Sequence, residues 1–203
     1  MESTHVPCSK VYRAGDSRVR PVALVVLHWT ASPPKGPEAP DEARMRAWLA
    51  DDSRQTSTHL VILRDGRVLQ AAELGERTWH AGGSAWTDPK GAVTKSINFQ
   101  SIGVDLENVG YVKRAPDGVG FVDGYGGRYK GASPVKASGS WCEPYTGVQL
   151  VALAAVVRWI AESIPALREP VRWVGHSEIQ PGKMDPGPLF PWHEVRAIVG
   201  ETT

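Results

Sequence analysis

The sequence predicts an α/β domain: one mixed β-sheet carrying a hairpin, with helices on its faces. Three features carry that expectation. The continuous run 22–27 has the aliphatic, β-branched character of a strand buried on both faces, and a shorter, mostly apolar run, 171–174, reads as a second strand. Asp65-Gly66 joins the strand-like segments 57–63 and 67–71, and Asp-Gly between such runs is a strong hairpin signal. Thr146-Gly147-Val148-Gln149 matches a capping box and opens an apolar helix to about residue 164, where Pro165 stops it.

Taken in order, residues 1–20 are polar and mixed and read as an extended lead-in. The buried run 22–27 then ends in His28-Trp29-Thr30. Four prolines between 31 and 40 make a loop, after which Asp41 is a good N-cap and Met45, Trp48 and Leu49 share one face of a short helix. Beyond the hairpin, Trp79-His80-Ala81-Gly82-Gly83-Ser84-Ala85-Trp86 is too rich in glycine for a regular element. Residues 102–107 alternate, with Asp105 and Glu107 on one face and Val104 and Leu106 on the other. Residues 109–142 are glycine-rich and read as an insertion over the rim of a site, long enough to suggest substrate contact. The helix from Thr146 should bury Val148, Val151, Ala155 and Trp159, flanked by Leu153, Val156, Val157 and Ile160. Residues 192–199 form a short last helix.

Composition limits the function classes. A chain of 203 residues is one domain, 1–203 with a core of about 20–200, and 41% hydrophobic residues suffice for a packed interior. A net charge of +1 gives no case for a nucleic-acid or membrane-surface partner. Residues 1–15 lack an apolar signal core, so a chain made in the cytoplasm is expected. The longest apolar run, 150–157, is far short of the ~20 residues of a membrane span, so no membrane insertion is expected. Cys8 and Cys142 exclude a disulfide scaffold but leave a single bridge open. Eight tryptophans suit either core packing or an aromatic groove for sugars or peptides.

The chemistry gathers where strands end. Both buried runs terminate in a histidine, His28 and His176, and sites in α/β sheets lie beyond the carboxyl ends of strands, so parallel neighbours would place the two side by side. After His176 a Gly/Pro loop delivers Lys183 and then Asp185. Histidine and carboxylate are ligands that zinc accepts, and a catalytic zinc takes three with a fourth position open. His59, inside an alternating strand, and His80, in a loop, compete for a place in that set, with a satisfied hydrogen-bonding histidine the default for His59. There is no H-E-x-x-H and no G-x-S-x-G elbow.

Five motifs in order extend this reading: His28-x-Thr30; Thr58-His59-Leu60-Val61-Ile62-x-x-Asp65-Gly66; Trp79-His80-Ala81-Gly82-x-Ser84-x-Trp86; Ser101-Ile102-Gly103-Val104-Asp105-Leu106-Glu107-Asn108; and Gly175-His176-Ser177-Glu178-Ile179-x-Pro181-Gly182-Lys183-x-Asp185-Pro186-Gly187. Over residues 22–192 the chain closely resembles the zinc-dependent N-acetylmuramoyl-L-alanine amidases of the amidase-2 family, related to peptidoglycan recognition proteins and phage lysozyme-like amidases. The resemblance implies a zinc site at one edge of the sheet with His28, His176 and Asp185 as ligands and Lys183 beside the metal. It also implies an acid as general base. The family usually has glutamate there, whereas this chain has Asp105, one methylene shorter, so Glu107 is kept as a substitute. Trp79, His80 and Trp86 are expected to line a glycan–peptide groove. The implied reaction cleaves the amide between N-acetylmuramic acid and L-alanine in peptidoglycan. The expected role is lysis of the cell wall in the manner of an endolysin, reaching it through a separate pore. The alternatives are a cytoplasmic amidase recycling anhydro-muropeptides and a non-catalytic peptidoglycan-binding module. Loss of a zinc ligand would mark the module, and the retained Asp185 argues against it.

Overall fold

Fourteen strands and four α-helices are found among the described residues, 2–12 and 15–201, of the computed structural model. In chain order they are β1 (Thr4–His5), β2 (Val11–Tyr12), β3 (Leu24–Trp29), α1 (Glu42–Ala50), β4 (Leu60–Ile62), β5 (Val68–Gln70), β6 (Arg77–Thr78), β7 (Ala85–Thr87), β8 (Val93–Lys95), β9 (Ser101–Leu106), β10 (Tyr111–Arg114), β11 (Phe121–Val122), β12 (Val135–Ala137), β13 (Ser140–Cys142), α2 (Gly147–Ser163), β14 (Trp173–Gly175), α3 (His176–Ile179) and α4 (Trp192–Glu201).

The main sheet has the order β1-β5-β4-β9-β3-β14. Every neighbouring pair is parallel except the β4/β5 hairpin, so the sheet is mixed, as the sequence predicts. The period-2 alternation of a strand assigns its faces. Val25 and Leu27 of β3, with Ile102, Val104 and Leu106 of β9, pack against Leu153, Val156, Val157 and Ile160 of α2 and Val195 and Val199 of α4. On the opposite face Leu24 and Val26 of β3 join Ala81, Ile97, Val174 and Ile179, while Met45 and Leu49 of α1 cover Val61, Leu63 and Leu69. Burial of each such side chain is worth about 1.5–3 kcal/mol. His28 continues the Leu24–Val26 face toward the carboxyl end of β3, and the register sets it opposite Asp105 of β9. The functional residues therefore lie at the carboxyl end of the sheet, beside its β14 edge, on the face that α2 does not cover.

Several expectations are corrected. The lead-in is not merely extended: β1 forms the far edge of the sheet and β2 pairs with β6. Residues 109–142, for which no regular elements were expected, hold the four-stranded antiparallel sheet β11-β10-β13-β12. Within the glycine loop, Trp86 belongs to a regular strand, β7, paired with β8. Val148 and Val151 of α2 are 49% and 73% exposed rather than buried. That helix is apolar around much of its circumference, so periodicity could not choose which side meets the sheet. Both cysteines are free, Cys142 buried and Cys8 half-buried. The outermost residues of the expected 1–203 span, 1 and 202–203, lie outside the described residues. Among the described residues no helix is long and apolar enough to cross a membrane.

Candidate metal centre

Parallel pairing of β14 with β3 aligns Gly175 with Leu27, which sets His176 beside His28 at the carboxyl ends of the two strands. His176 opens α3, a single turn whose start is secured by Glu178 accepting from the Gly175 N–H at 2.9 Å. The following loop brings back Asp185, whose carbonyl accepts from Ser177 N at 3.0 Å. Tyr145 Oη donates to the Pro186 carbonyl at 2.6 Å and pins the same loop. Gly187 sits at φ 83° against the indole of Trp29, where a Cβ would come within 2.2 Å of the ring. Only glycine fits that backbone and that contact together.

Three atoms converge as a result. His28 Nδ1 lies 2.8 Å from Asp185 Oδ2 and 3.1 Å from His176 Nδ1, and His176 Nδ1 lies 3.1 Å from the same carboxylate oxygen. All three residues are buried. Burial alone would raise the pKa of Asp185, but hydrogen bonds and charge from His176 and His28 outweigh it and hold the carboxyl well below its ordinary range. Two imidazole nitrogens and a carboxylate oxygen aimed at one point repel unless a proton or cation lies among them. They are also a donor set that suits a borderline divalent cation. Among the described residues this trio forms the one group of histidine and acidic side chains close enough to hold a metal ion.

The outer ring nitrogens are engaged as well. His176 Nε2 lies 2.9 Å from Gln180 Oε1, which also accepts from Ser84 Oγ at 3.1 Å. His28 Nε2 lies 3.1 Å from His80 Nδ1. The trio opens into a cleft of about 330 Å³ lined by Trp29, Trp48, Thr56, Trp79, His80, Asp105 and Lys183, among others. Asp105 is buried in its wall, and burial raises its pKa, offset in part by the nearby His28 and Thr58. Lys183 stands at the exposed mouth.

The structure thus brings together His28, His176, Asp185, Asp105, Lys183, Trp79 and His80. It places two expected residues elsewhere. Glu107 is fully buried beyond the end of β9, where its carboxylate accepts from Arg64 Nη1 at 2.6 Å, Arg64 N at 3.1 Å and Asp41 N at 2.8 Å. Arg64 in turn holds Glu143 with two bonds of 3.0 Å. An acid committed to that cluster has no face to offer a substrate, which removes Glu107 as an alternative base. Trp86 packs on the Ala81–Ile179 cluster and lines a separate groove with Pro170 and Arg196. His59 is fully buried and hydrogen-bonded through both nitrogens, as expected of a structural histidine.

Gln180, Ser101 and Gly103 escaped the sequence reading. Gln180 stands four residues after His176, on the same side of a helical turn. Ser101 and Gly103 share the face of Asp105 by period-2 spacing, so the alternation that singled out Asp105 points to them too.

Comparison with known proteins adds family to geometry. The profile of the Amidase_2 family, described as N-acetylmuramoyl-L-alanine amidase, matches residues 18–188. The 1,6-anhydro-N-acetylmuramyl-L-alanine amidase AmpD of Salmonella typhimurium (strain SL1344) is 31% identical over 146 residues, covering 71% of this chain and 58% of the relative. The chain therefore spans less than two thirds of the length of that curated relative. Among solved structures, an AmpD crystal structure superposes with a TM-score of 0.66 at 26% identity, covering 97% of this chain and 94% of the other. The Escherichia coli amidase AmiD, solved with the substrate anhydro-N-acetylmuramic acid-L-Ala-D-gamma-Glu-L-Lys, gives 0.61 at 27% identity, covering 92% and 60%.

Proposed function

Because this chain belongs to the N-acetylmuramoyl-L-alanine amidase family, Amidase_2, we propose that it hydrolyses the amide joining the lactyl group of N-acetylmuramic acid to L-alanine. The observation that carries the reading is the convergence of His28, His176 and Asp185 in a cleft that also holds Asp105 and Lys183. The donor set fits zinc. Held by those three residues, zinc would supply water activation and polarisation of the scissile carbonyl.

The remaining work falls to the chain's own side chains. Asp105 takes the proton of the attacking water and passes it to the departing amine of L-alanine, so that a C–O bond replaces the C–N bond. Such a base is worth ~10²–10⁴-fold, and the burial that raises its pKa lets its carboxyl hold the proton in transit. The Lys183 ammonium, at the mouth of the cleft, stabilises the oxyanion that develops on the carbonyl. Trp29, Trp48 and Trp79 offer aromatic walls for the sugar and peptide on either side of the bond.

The test pairs wild type with Asp185→Ala, measuring bound zinc and the L-alanine amino termini freed from soluble anhydro-muropeptides. Wild type should carry about one zinc and free those termini, and the variant should fail at both. Zinc binding with soluble muropeptides and intact sacculi both uncut would overturn the amidase reading in favour of a binding module. A second reading, action on the polymeric wall, is supported by the β11-β10-β13-β12 sheet. Its Tyr111 packs edge-on against Trp29 of the cleft, and its groove shares Met184, the neighbour of Lys183 and Asp185. It predicts the same termini released from intact sacculi.

A further inference from the structure

We propose that His80 is a positioning residue that fixes the tautomer of His28 so that Nδ1 presents its lone pair to the converging trio. Protons placed along one chain of hydrogen bonds fix that tautomer, and only the metal-affinity test below rests on the zinc reading.

The chain begins at an atom that can only accept. The Ile97 carbonyl accepts from Ser101 Oγ at 2.7 Å, so the single hydroxyl proton of Ser101 is committed there. Ser101 Oγ also lies 3.0 Å from His80 Nε2, and with its own proton spent it can only accept in that contact. His80 therefore carries its proton on Nε2, and in the neutral ring its Nδ1 is left as an acceptor. His80 Nδ1 lies 3.1 Å from His28 Nε2, which must then be the donor. With the proton of His28 held on Nε2, its Nδ1 is the nitrogen left to face Asp185 and His176.

The fold keeps this order of atoms fixed. The backbone N–H groups of His80 and Ala81 both donate to Asn98 Oδ1, at 3.1 and 2.6 Å, which clamps the loop that carries the imidazole. Gly103, between Ser101 and Asp105 on β9, makes room for the ring: a Cβ there would meet His80 Cγ at 2.6 Å. His176 reaches the same state by a separate route, its Nε2 donating to Gln180 Oε1. The two histidines are thus set alike by unrelated partners. Outer partners of this kind orient a ligating imidazole, and losing one typically costs 10–100-fold in metal affinity.

The experiment measures zinc affinity by chelator competition in wild type, His80→Leu and His80→Gln, with far-UV circular dichroism to establish folding. It also uses long-range ¹H–¹⁵N NMR on the chelator-treated wild type to read the His28 tautomer directly. His80→Leu fills the space but accepts nothing, and should bind zinc about 10–100-fold more weakly while remaining folded. His80→Gln restores an acceptor oxygen and should recover most of the loss, which a role in packing alone would not produce. NMR should show the His28 proton on Nε2. Wild-type affinity in His80→Leu, an equal loss in His80→Gln, or a His28 proton on Nδ1 in wild type would each overturn the proposal. If wild type binds no zinc, the metal reading fails and the NMR result alone decides. If zinc-loaded wild type cuts neither soluble muropeptides nor sacculi, the amidase reading fails while the affinity and tautomer tests still stand.

Discussion

Asp105 and Glu107 are two residues apart, yet the structure gives them opposite surroundings. Asp105 faces the cleft; Glu107 shares a fully buried cluster with Arg64 and Glu143. Asp105→Asn should therefore lower turnover by ~10²–10⁴-fold with the melting temperature almost unchanged. Glu107→Gln weakens a buried pair and should cost about 3 kcal/mol or more, roughly 6–12 °C in a chain of this length. Parallel thermal melts and rate measurements separate the two; a stable but inactive Glu107→Gln would contradict the assignment. His59 gives a third contrast, with pH. Its Nε2 donates to the Glu76 carbonyl at 3.2 Å and its Nδ1 accepts from Gly103 N at 3.0 Å, so a second ring proton would point at an N–H. Burial accordingly lowers its pKa from 6.5 to about 3. Below pH 6.5 the unfolded histidine binds a proton that the folded one refuses. The stabilisation by neutral His59 is thus complete above about 6.5 and lost by about 1.4 kcal/mol per unit as pH falls toward 3. Denaturant titrations at pH 7, 6 and 5 should show a steeper loss of stability in wild type than in His59→Gln, by about 1.4 kcal/mol per unit below 6.5. Equal slopes in the two proteins would contradict the account.

At the scale of elements, β3, β9 and the start of α2 organise the site. Thr146 ties α2 to the chain just beyond β4: its Oγ accepts from Gln149 N at 3.1 Å and donates to the Arg64 carbonyl at 2.7 Å, while Gln149 Nε2 donates to the carbonyls of Ile62 in β4 and Glu107 just past β9. The cap thereby fastens α2 to the strand ends beneath the buried ion cluster. Thr146→Ala should cost about 1–2 kcal/mol, at the upper end for a lost cap because a strand-end carbonyl also loses its donor, and should show as a drop of a few degrees in melting temperature. This cap was legible in the sequence because Thr-x-x-Gln is a local pattern. The buried strands were legible for the same reason, as were the two histidines at their ends. The Arg64–Glu107–Glu143 cluster was not: its members come from three separated segments, and a lone arginine beside a hairpin turn reads as solvated. The four-stranded sheet within 109–142 was also missed. Its strands are two to four residues long, too short for alternation to rise above the many glycines. The side of α2 that meets the sheet was misjudged because both sides are apolar, and only the position of the sheet separates Val151 from Leu153.

For the molecule as a whole, the trio ties together two stretches distant in the chain: His28 on the second strand from the edge, and the neighbouring pair of His176 beyond the edge strand and Asp185 in the returning loop. Those segments are already held by strand pairing and by the Tyr145–Pro186 bond. A cation is therefore not needed to form the fold. It should instead stabilise a fold that brings three mutually repelling acceptors within 3.1 Å of one another. A ligand that binds only the folded state stabilises it by RT ln(1 + [L]/Kd), about 2.7 kcal/mol at a hundredfold excess over Kd. For a chain of about this size that corresponds to roughly 5–10 °C. Chelator-treated protein should accordingly melt cooperatively at a lower temperature and recover on addition of zinc, with the gain growing logarithmically with zinc concentration. Asp185→Ala removes one of the three donors and the charge that balances the cation, and its melting temperature should be nearly indifferent to zinc. Calorimetry of both proteins across a zinc series decides the matter. A zinc-dependent rise of equal size in the variant would place the stabilising ion somewhere other than between His28, His176 and Asp185. Loss of all cooperative unfolding on chelation would show that the surrounding packing does not hold the site in place by itself.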